Sequence, residues 1–440
     1  MSMSPRLKKA TNRGAILTLL LAFVAPAEGA AKGLLTAALE SITTEELYRH
    51  VEVLADDVYE GRAAGSRGGR AAAQYLLQQL RAYRFEPAGE DGDYVQPFGD
   101  GCRNILLLQR GDDPTLADEV IVVGAHYDHV GLGSRRNSNG PLGQIHNGAD
   151  DNASGVAVLL ETIDALAVSG MRTRRSILFA FWDAEENELA GSRHWMANPT
   201  WPLARVKLAI TVDMVGRLRD GQLYVLGTRS GYGLRRLMSG AVAEPLWLDF
   251  SWEIQANSDH WSFFEREIPG VLLHSGLHYD YHRPSDDVEK INRDGMRAVA
   301  RYLLSSLITI ANEDQLPRFR PQGMRETLRA QRVLEQPLPP RSLATWPADE
   351  PRPRLGISWR ADEAEPASVF ITRVVEQSPA ATAGLQFGDR IYELNGQTFA
   401  DPAEFQMAIL TLLDAAPAEF TMLIERRGHL RTIVVKMPSD

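Results

Sequence analysis

Five short apolar runs constrain what this chain can fold into: RNILLLQ at 103–109, EVIVVGAH at 119–126, SILFAFW at 176–182, VKLAITVDM at 206–214 and GVLLHS at 270–275. None alternates apolar with polar side chains, so none offers a face to water. Strands of this kind sit in a sheet covered on both sides by helices. Helical patterns fill several of the gaps, notably 153–168. Thr43 with Glu46 forms a capping box ahead of Leu47, Val51 and Leu54, which predicts a helix over 43–55. The Gly-rich stretch EGRAAGSRGG leads into a second helix from about Gly69 to Tyr83, with Leu76, Leu77 and Leu80 on its buried face. A last amphipathic helix covers 293–312. The alternation predicts an α/β fold, a mostly parallel central sheet sandwiched by helices, over residues 34–312.

The ends of the chain read differently. Arg6, Lys8, Lys9 and Arg13 precede a twelve-residue apolar run, Gly14 to Ala25, and then the small residues Ala25-Pro26-Ala27. Residues 1–27 are therefore predicted to be a cleaved export signal, which places the protein in the periplasm or outside the cell. An uncleaved signal would anchor it instead. Spanning a bilayer takes about 20 apolar residues, and no later run approaches that length, so no stable insertion is expected after cleavage. Residues 313–353 hold eight of the 24 prolines. The segment 313–350 reads as a proline-rich linker, across which few contacts are expected. From 351 to 440 short strand signals (LGISW, VFITRVV, RIYELNG, FTMLIERR, RTIVVKM) surround two brief helices. Ser378-Pro379 and Asp401-Pro402-Ala403-Glu404 mark the starts of those helices. A small β-rich α+β domain follows.

Composition removes several function classes. Beyond the first 27 residues, which carry four basic and no acidic side chains, 43 basic residues face 57 acidic ones, a net charge of about −14. Such a surface is unsuited to nucleic acid. The single cysteine, Cys102, excludes an intramolecular disulfide and thiolate-rich metal sites, so any metal here must use His, Asp and Glu.

Those residues crowd the ends of the predicted strands. His126 and Asp128 close one strand as H-Y-D, the pairing of an imidazole ligand with the carboxylate that orients it, or of a plain hydrogen-bonding pair. NGADDNASG puts Asp150 and Asp151 before a helix, as caps or as ligands. Glu185 and Glu186 follow SILFAFW directly; one carboxylate can bind a metal while its neighbour stays free as a general base, and a solvated loop is the plain alternative. Asp213 lies within ITVDMVG, where a metal or a salt bridge to Arg217 would neutralise it. SGLHYDYHRPSDD gathers His278, Tyr279, Tyr281, His282, Asp286 and Asp287 after GVLLHS. In open α/β sheets such strand ends converge.

The segments LADDVYEGRAAGSRGG, VVGAHYDHVG, HNGADDNASG, FWDAEENELAGS, ITVDMVG, SDHWSFFEREIPG and YHRPSDD stand in this order between residues 40 and 312. Together they resemble the di-zinc exopeptidases, a family that includes secreted bacterial aminopeptidases and glutamate carboxypeptidase. The resemblance implies two zinc ions per chain. His126 and Asp213 would hold one and Glu186 and His282 the other, with Asp151 bridging both and a cis peptide after it. It implies Glu185 as the general base acting on a metal-bridging water, Asp128 as the partner of His126, and Tyr281 as a group that polarises the scissile carbonyl. Asp259 and His260 line the site region in relatives. The substrates implied are peptides with a free N-terminus. The alternatives are a glutaminyl-cyclase-like enzyme or another amidohydrolase on the same fold, and a non-catalytic peptide-binding scaffold. PRLGISW and SPAATAGLQFGDRIYELNG resemble a bacterial-type PDZ domain, which implies a C-terminal peptide ligand held by strand addition.

Overall fold

The computed structural model describes residues 25–83, 85–240, 245–252 and 254–438. The expected signal falls on residues 1–24, outside the described residues, and on the start of the helix Ala25–Ser41. The first sheet is built from β1 (Glu86–Pro87), β2 (Val95–Phe98), β3 (Cys102–Gln109), β4 (Val120–His126), β5 (Ser176–Trp182), β6 (Val206–Val212), β7 (Gln222–Leu226), β8 (Trp247–Ser251) and β9 (Gly270–His274). Their order is β1-β3-β5-β4-β6-β9-β7-β8, with β2 on β3. The central strands β5, β4, β6 and β9 run parallel. β3 and β7 flank them antiparallel.

Every residue of β4 and β5 is buried, which is what their unbroken apolar sequence requires. The two faces differ only in what covers them. Ile121, Val123, Ile177 and Phe179 face the helices Thr44–Leu54, Gly155–Ser169 and Arg293–Asn312. Val122, Leu178, Ala180 and Trp182 face Trp195 and Phe263, on the helices Ala190–Ala197 and His260–Phe264. Thr43 caps the first of these helices as its sequence predicts: its hydroxyl donates to Glu46 Oε2 (3.0 Å) and accepts from Glu46 N (3.2 Å). β7 and β8 were not expected. They lie toward one end of the sheet and alternate between buried and half-buried residues, so they lack the continuous apolar signal. One further difference concerns the stretch Ala149–Ser169, which is long and apolar enough to cross a membrane; 78% of its most apolar window is buried inside the fold, against the sheet.

The second sheet, wholly antiparallel, contains β10 (Ile357–Ala361), β11 (Val369–Val374), β12 (Arg390–Leu394), β13 (Gln397–Thr398), β14 (Glu419–Arg426) and β15 (His429–Lys436). It runs β10-β11-β12-β14-β15 and closes on its own core around Ile371, Ile391, Phe405 and Ile424. Ser378 and Asp401 cap its two helices, Pro379–Thr382 and Pro402–Asp414.

The junction between the sheets overturns the expectation of few contacts. The proline-rich segment includes the helix Leu328–Leu334 and sends Glu326 to Arg229 at 2.5 and 2.8 Å. Arg229 also reaches Asp362 (2.7 Å), which in turn faces Arg390 (2.7 Å). Arg235 pairs with Glu425 (2.8 Å), and its backbone amide donates to Glu365 (2.8 Å). Backbone joins backbone as well, Gly233 N to Ala364 O and Leu248 N to Arg427 O. Prolines limited chain entropy here without making a free spacer, because charged residues between them found partners in both domains, Glu326 in Arg229 and Glu335 in Arg390 (3.1 Å).

Candidate active site

Four turns at the carboxyl ends of β4, β5, β6 and the β9 side of the sheet carry the acidic and imidazole residues into one place. His126 is the last residue of β4 and is fully buried. Its Nε2 lies 3.3 Å from Asp213 Oδ1 and 3.4 Å from Asp151 Oδ1. On the other side of Asp151, His282 Nε2 lies 3.1 Å from Asp151 Oδ2 and 3.1 Å from Glu186 Oε2. One carboxylate therefore serves two clusters, an oxygen to each. Sequence reasoning missed a further member: His129 Nδ1 is 2.8 Å from Glu186 Oε1 and 3.8 Å from Asp151 Oδ2. The two groups able to hold a metal are His126, Asp151 and Asp213, and His129, Asp151, Glu186 and His282.

Backbone hydrogen bonds fix these positions. Asp128 sits 3.7 Å from His126 Nδ1 through one carboxylate oxygen, and its two oxygens accept from the amides of Glu185 (3.0 Å) and Glu186 (3.3 Å). Asp128 thus orients one ligand ring through its backbone carbonyl, 3.2 Å from His126 Nδ1, and through its carboxylate the turn carrying two other site residues. The Asp151–Asn152 peptide is cis, in line with the family resemblance. Asp286 accepts from the amides of Asp150 and Asp151. Asp150 is not a member of either cluster: it accepts from Gly216 N (2.6 Å) and faces His278 Nε2 (3.0 Å). Arg62, fully buried, donates only to backbone carbonyls, those of Leu54, Tyr127, Asn147 and Gly148. It ties the β4 turn to the loop that carries Asp151. The EGR stretch was visible in the sequence, but nothing local reveals that its arginine would be drawn inward.

Other residues fall outside the clusters. Arg217 pairs with Asp280 (3.2 Å) and not with Asp213, so the salt-bridge alternative for Asp213 is not realised. Tyr279 is exposed, and Asp287 caps the turn Val288–Lys290. Tyr281 stacks on His282, ring centroids 3.9 Å apart. Asp259 and His260 are buried beside the site, and among the described residues their side-chain polar atoms have no hydrogen-bond partner; the nearby Ser192 hydroxyl is engaged with Leu189 O and Ser262.

The electrostatics follow from this crowding. Burial disfavours charge on every member, but in metal-free protein the neighbours decide the outcome. For His126 burial is outweighed by Glu185 and Asp213, and its pKa lies well above the ordinary range. His282 is pushed up to about 10 by Asp151 and Glu186 against the effect of burial. Asp151 is held well below the usual carboxylate range, mainly by His129, His126 and His282 acting against burial. Glu185 behaves in the opposite way: burial, with Glu186, Asp259 and Asp213 adding repulsion, holds its pKa well above normal. It belongs to neither cluster. Protons on the imidazoles occupy the space between carboxylates that a divalent cation would fill, and the donors are nitrogen and oxygen alone. Such a set fits catalytic zinc, whose binding would release those protons.

Residues 104–307 match peptidase family M28, and residues 370–426 match the PDZ domain. Leucine aminopeptidase 1 of Grosmannia clavigera is 31% identical over 295 residues, covering 63% of this chain and 70% of that protein. Leupeptin-inactivating enzyme 1 of Streptomyces exfoliatus is 26% identical over 255 residues, 57% of this chain and 52% of the enzyme. The chain spans about half the length of that enzyme and of probable leucine aminopeptidase 2 of Aspergillus fumigatus, 52% and 45%. Among solved structures, LapA of Legionella superposes with a TM-score of 0.51 at 21% identity over 64% of this chain and 77% of its own. The aminopeptidase of Aneurinibacillus sp. strain AM-1 superposes with a TM-score of 0.50 at 18% identity, over 65% and 98%. These two likenesses establish the fold. The shared sequence and the match over the site-bearing segments lead to one conclusion: the chain belongs to peptidase family M28 and carries a PDZ domain at its C-terminal end.

Proposed function

We propose that this protein is a zinc-dependent aminopeptidase that hydrolyses N-terminal peptide bonds with Glu185 as general base. The observation that carries the reading is the placement of Glu185: its backbone is held by Asp128, its side chain joins neither cluster, and burial holds its pKa above the ordinary carboxylate range. His126, Asp151 and Asp213 would hold one zinc, and Glu186 and His282 with Asp151 the other. Bound zinc supplies Lewis acidity toward a carbonyl and lowers the pKa of water. Glu185 accepts a proton from the attacking water and returns it to the leaving amine. Tyr281, kept protonated by burial and by the surrounding carboxylates, offers its hydroxyl to the scissile carbonyl.

Export to the periplasm or beyond belongs to the same proposal and is supported by the N-terminal sequence. The PDZ domain would take a peptide C-terminus along β10, which ends its sheet and places Trp359 edge-on to Phe405 at 5.3 Å. The test of the enzymatic reading is hydrolysis of a panel of aminoacyl chromogenic amides beside amino-terminally blocked versions. Turnover confined to unblocked substrates supports it; equal turnover of both, or none of either in zinc-loaded protein, rejects it.

A further inference from the structure

His129 is unexplained by the five-ligand arrangement that the sequence implies. It lies on the turn after β4, three residues beyond His126, and is buried with 1% of its surface exposed. Its amide donates to Arg62 O (3.2 Å), which fixes its backbone. Its ring rests on Gly148, where a Cβ would lie 2.5 to 2.6 Å from ring carbons, so that position must remain glycine and the ring cannot swing toward it. Nδ1 then points at the carboxylates. It faces Glu186 Oε1 at 2.8 Å and Asp151 Oδ2 at 3.8 Å, while His282 Nε2 meets the same Asp151 oxygen and the other Glu186 oxygen, each at 3.1 Å. The rings of His129 and His282 are nearly perpendicular, 78° apart with centroids at 5.5 Å.

We propose that His129 is a sixth protein ligand of the metal pair, giving one site four protein donors (His129, Asp151, Glu186, His282) and leaving the other three (His126, Asp151, Asp213). The inference rests on the metal-dependent reading above. Tetrahedral zinc with bonds of about 2.0 to 2.1 Å separates its donors by about 3.3 Å, and the spacings here straddle that value. An imidazole serving only to steady Glu186 has no reason to approach Asp151 as well. Glu186 and Asp151 are in any case steadied through their own amides, by Asp128 and Asp286. Among the described residues the Nε2 of His129 has no partner, so the polar role of the ring lies on the Nδ1 side.

The consequence is a functional inequality. Four protein donors close a tetrahedral site, as in structural zinc, whereas three leave a position for water or substrate. The site containing His129 is therefore the tight, slowly exchanging one, and the site containing His126 is the open one.

The experiment uses the full-length protein stripped with chelator and titrated with zinc by calorimetry, with X-ray absorption on samples holding one equivalent. Wild type should bind in two steps, and the first equivalent should show two imidazoles. His129→Ala should weaken the first step about tenfold or more, given that even residues outside the ligand set change affinity 10- to 100-fold, while the second step stays in place. His129→Gln, which keeps a polar group of similar size, should behave like His129→Ala, and its melting curve serves as the folding control. One imidazole on the first equivalent of wild type, or a first step within twofold of wild type in folded His129→Gln, would overturn the proposal while two bound metals kept the enzymatic reading intact. Failure of wild type to bind zinc, or uptake unaffected by Glu186→Gln, would remove the reading beneath it.

Discussion

At the end of the first sheet carboxylates converge on imidazoles; at the junction between the sheets they converge on guanidinium groups. Both regions bury charge at positions where an unpaired charge would be prohibitive. At the junction Asp362 lies between Arg229 and Arg390, and Glu425 lies against Arg235, each a permanent cation. At the site the buried guanidinium of Arg62 is spent on four carbonyl groups, and Asp151, Glu186 and Asp213 are left to imidazoles, whose protons a metal can displace. The contrast separates charge that holds a structure together from charge arranged to be exchanged for a metal.

The sharpest way to break this contrast is to remove the metal. Chelation should abolish hydrolysis and readdition of zinc should restore it, while the junction, whose cations are covalent parts of the chain, stays assembled. Full turnover by metal-stripped protein would end the comparison. Next in size is Glu185→Gln, which should lower kcat by about 10²- to 10⁴-fold, the usual worth of a general base, with zinc content unchanged. Glu186→Gln should lower zinc content instead. The reverse pattern, read by elemental analysis beside kinetics, would exchange their roles.

At the junction, removing one partner of a buried pair strands the other and costs about 3 to 5 kcal/mol. Arg390→Ala should therefore lower the unfolding free energy, read from denaturant titration, by that amount, and truncation near Pro317, which removes both Glu326 and Asp362 from Arg229, should destabilise the first domain. A truncated protein as stable as the full chain would show the junction to be incidental. The smallest effect concerns Glu365, buried at the junction, where burial and then Asp362, opposed by Arg390, push its carboxyl up to about 7. Between the unfolded value of about 4.3 and about 7 the folded protein keeps a proton that the unfolded chain has released, so stability falls as pH rises through that window. Glu365→Gln should flatten the slope, measured as denaturant midpoints at about pH 5 and about pH 7.

Much of this organisation was legible before any tertiary structure. Apolar runs without alternation can only be strands hidden on both faces, and β4 and β5 are buried along their whole length. Thr43, Ser378 and Asp401 announce their helices because capping is a contact between near neighbours, readable within four residues. The clusters holding His126, Asp151, Glu186, Asp213 and His282 were legible because strand ends in an α/β sheet meet on one side, whatever the loop lengths between them, and the family resemblance implied which member of each cluster is a ligand. β7 and β8 escaped because half-buried strands toward a sheet end carry too weak a pattern.

What the tertiary structure alone decided is where long-range partners lie. His129 joins the second cluster only because Arg62 and Gly148, 67 and 19 residues away along the chain, fix its backbone and its ring; sequence spacing in a turn carries no direction for a side chain. Arg62 itself turns inward to meet carbonyls from three separate segments. The prolines between 313 and 350 suggested a free connector, and the charges among them became its attachment to both domains once folding brought Glu326 to Arg229 and Glu335 to Arg390. Local propensity and apolar periodicity act over a few residues and survive in the sequence. Pairing of buried charge depends on which chain segments happen to be adjacent in space, and only the folded chain specifies that.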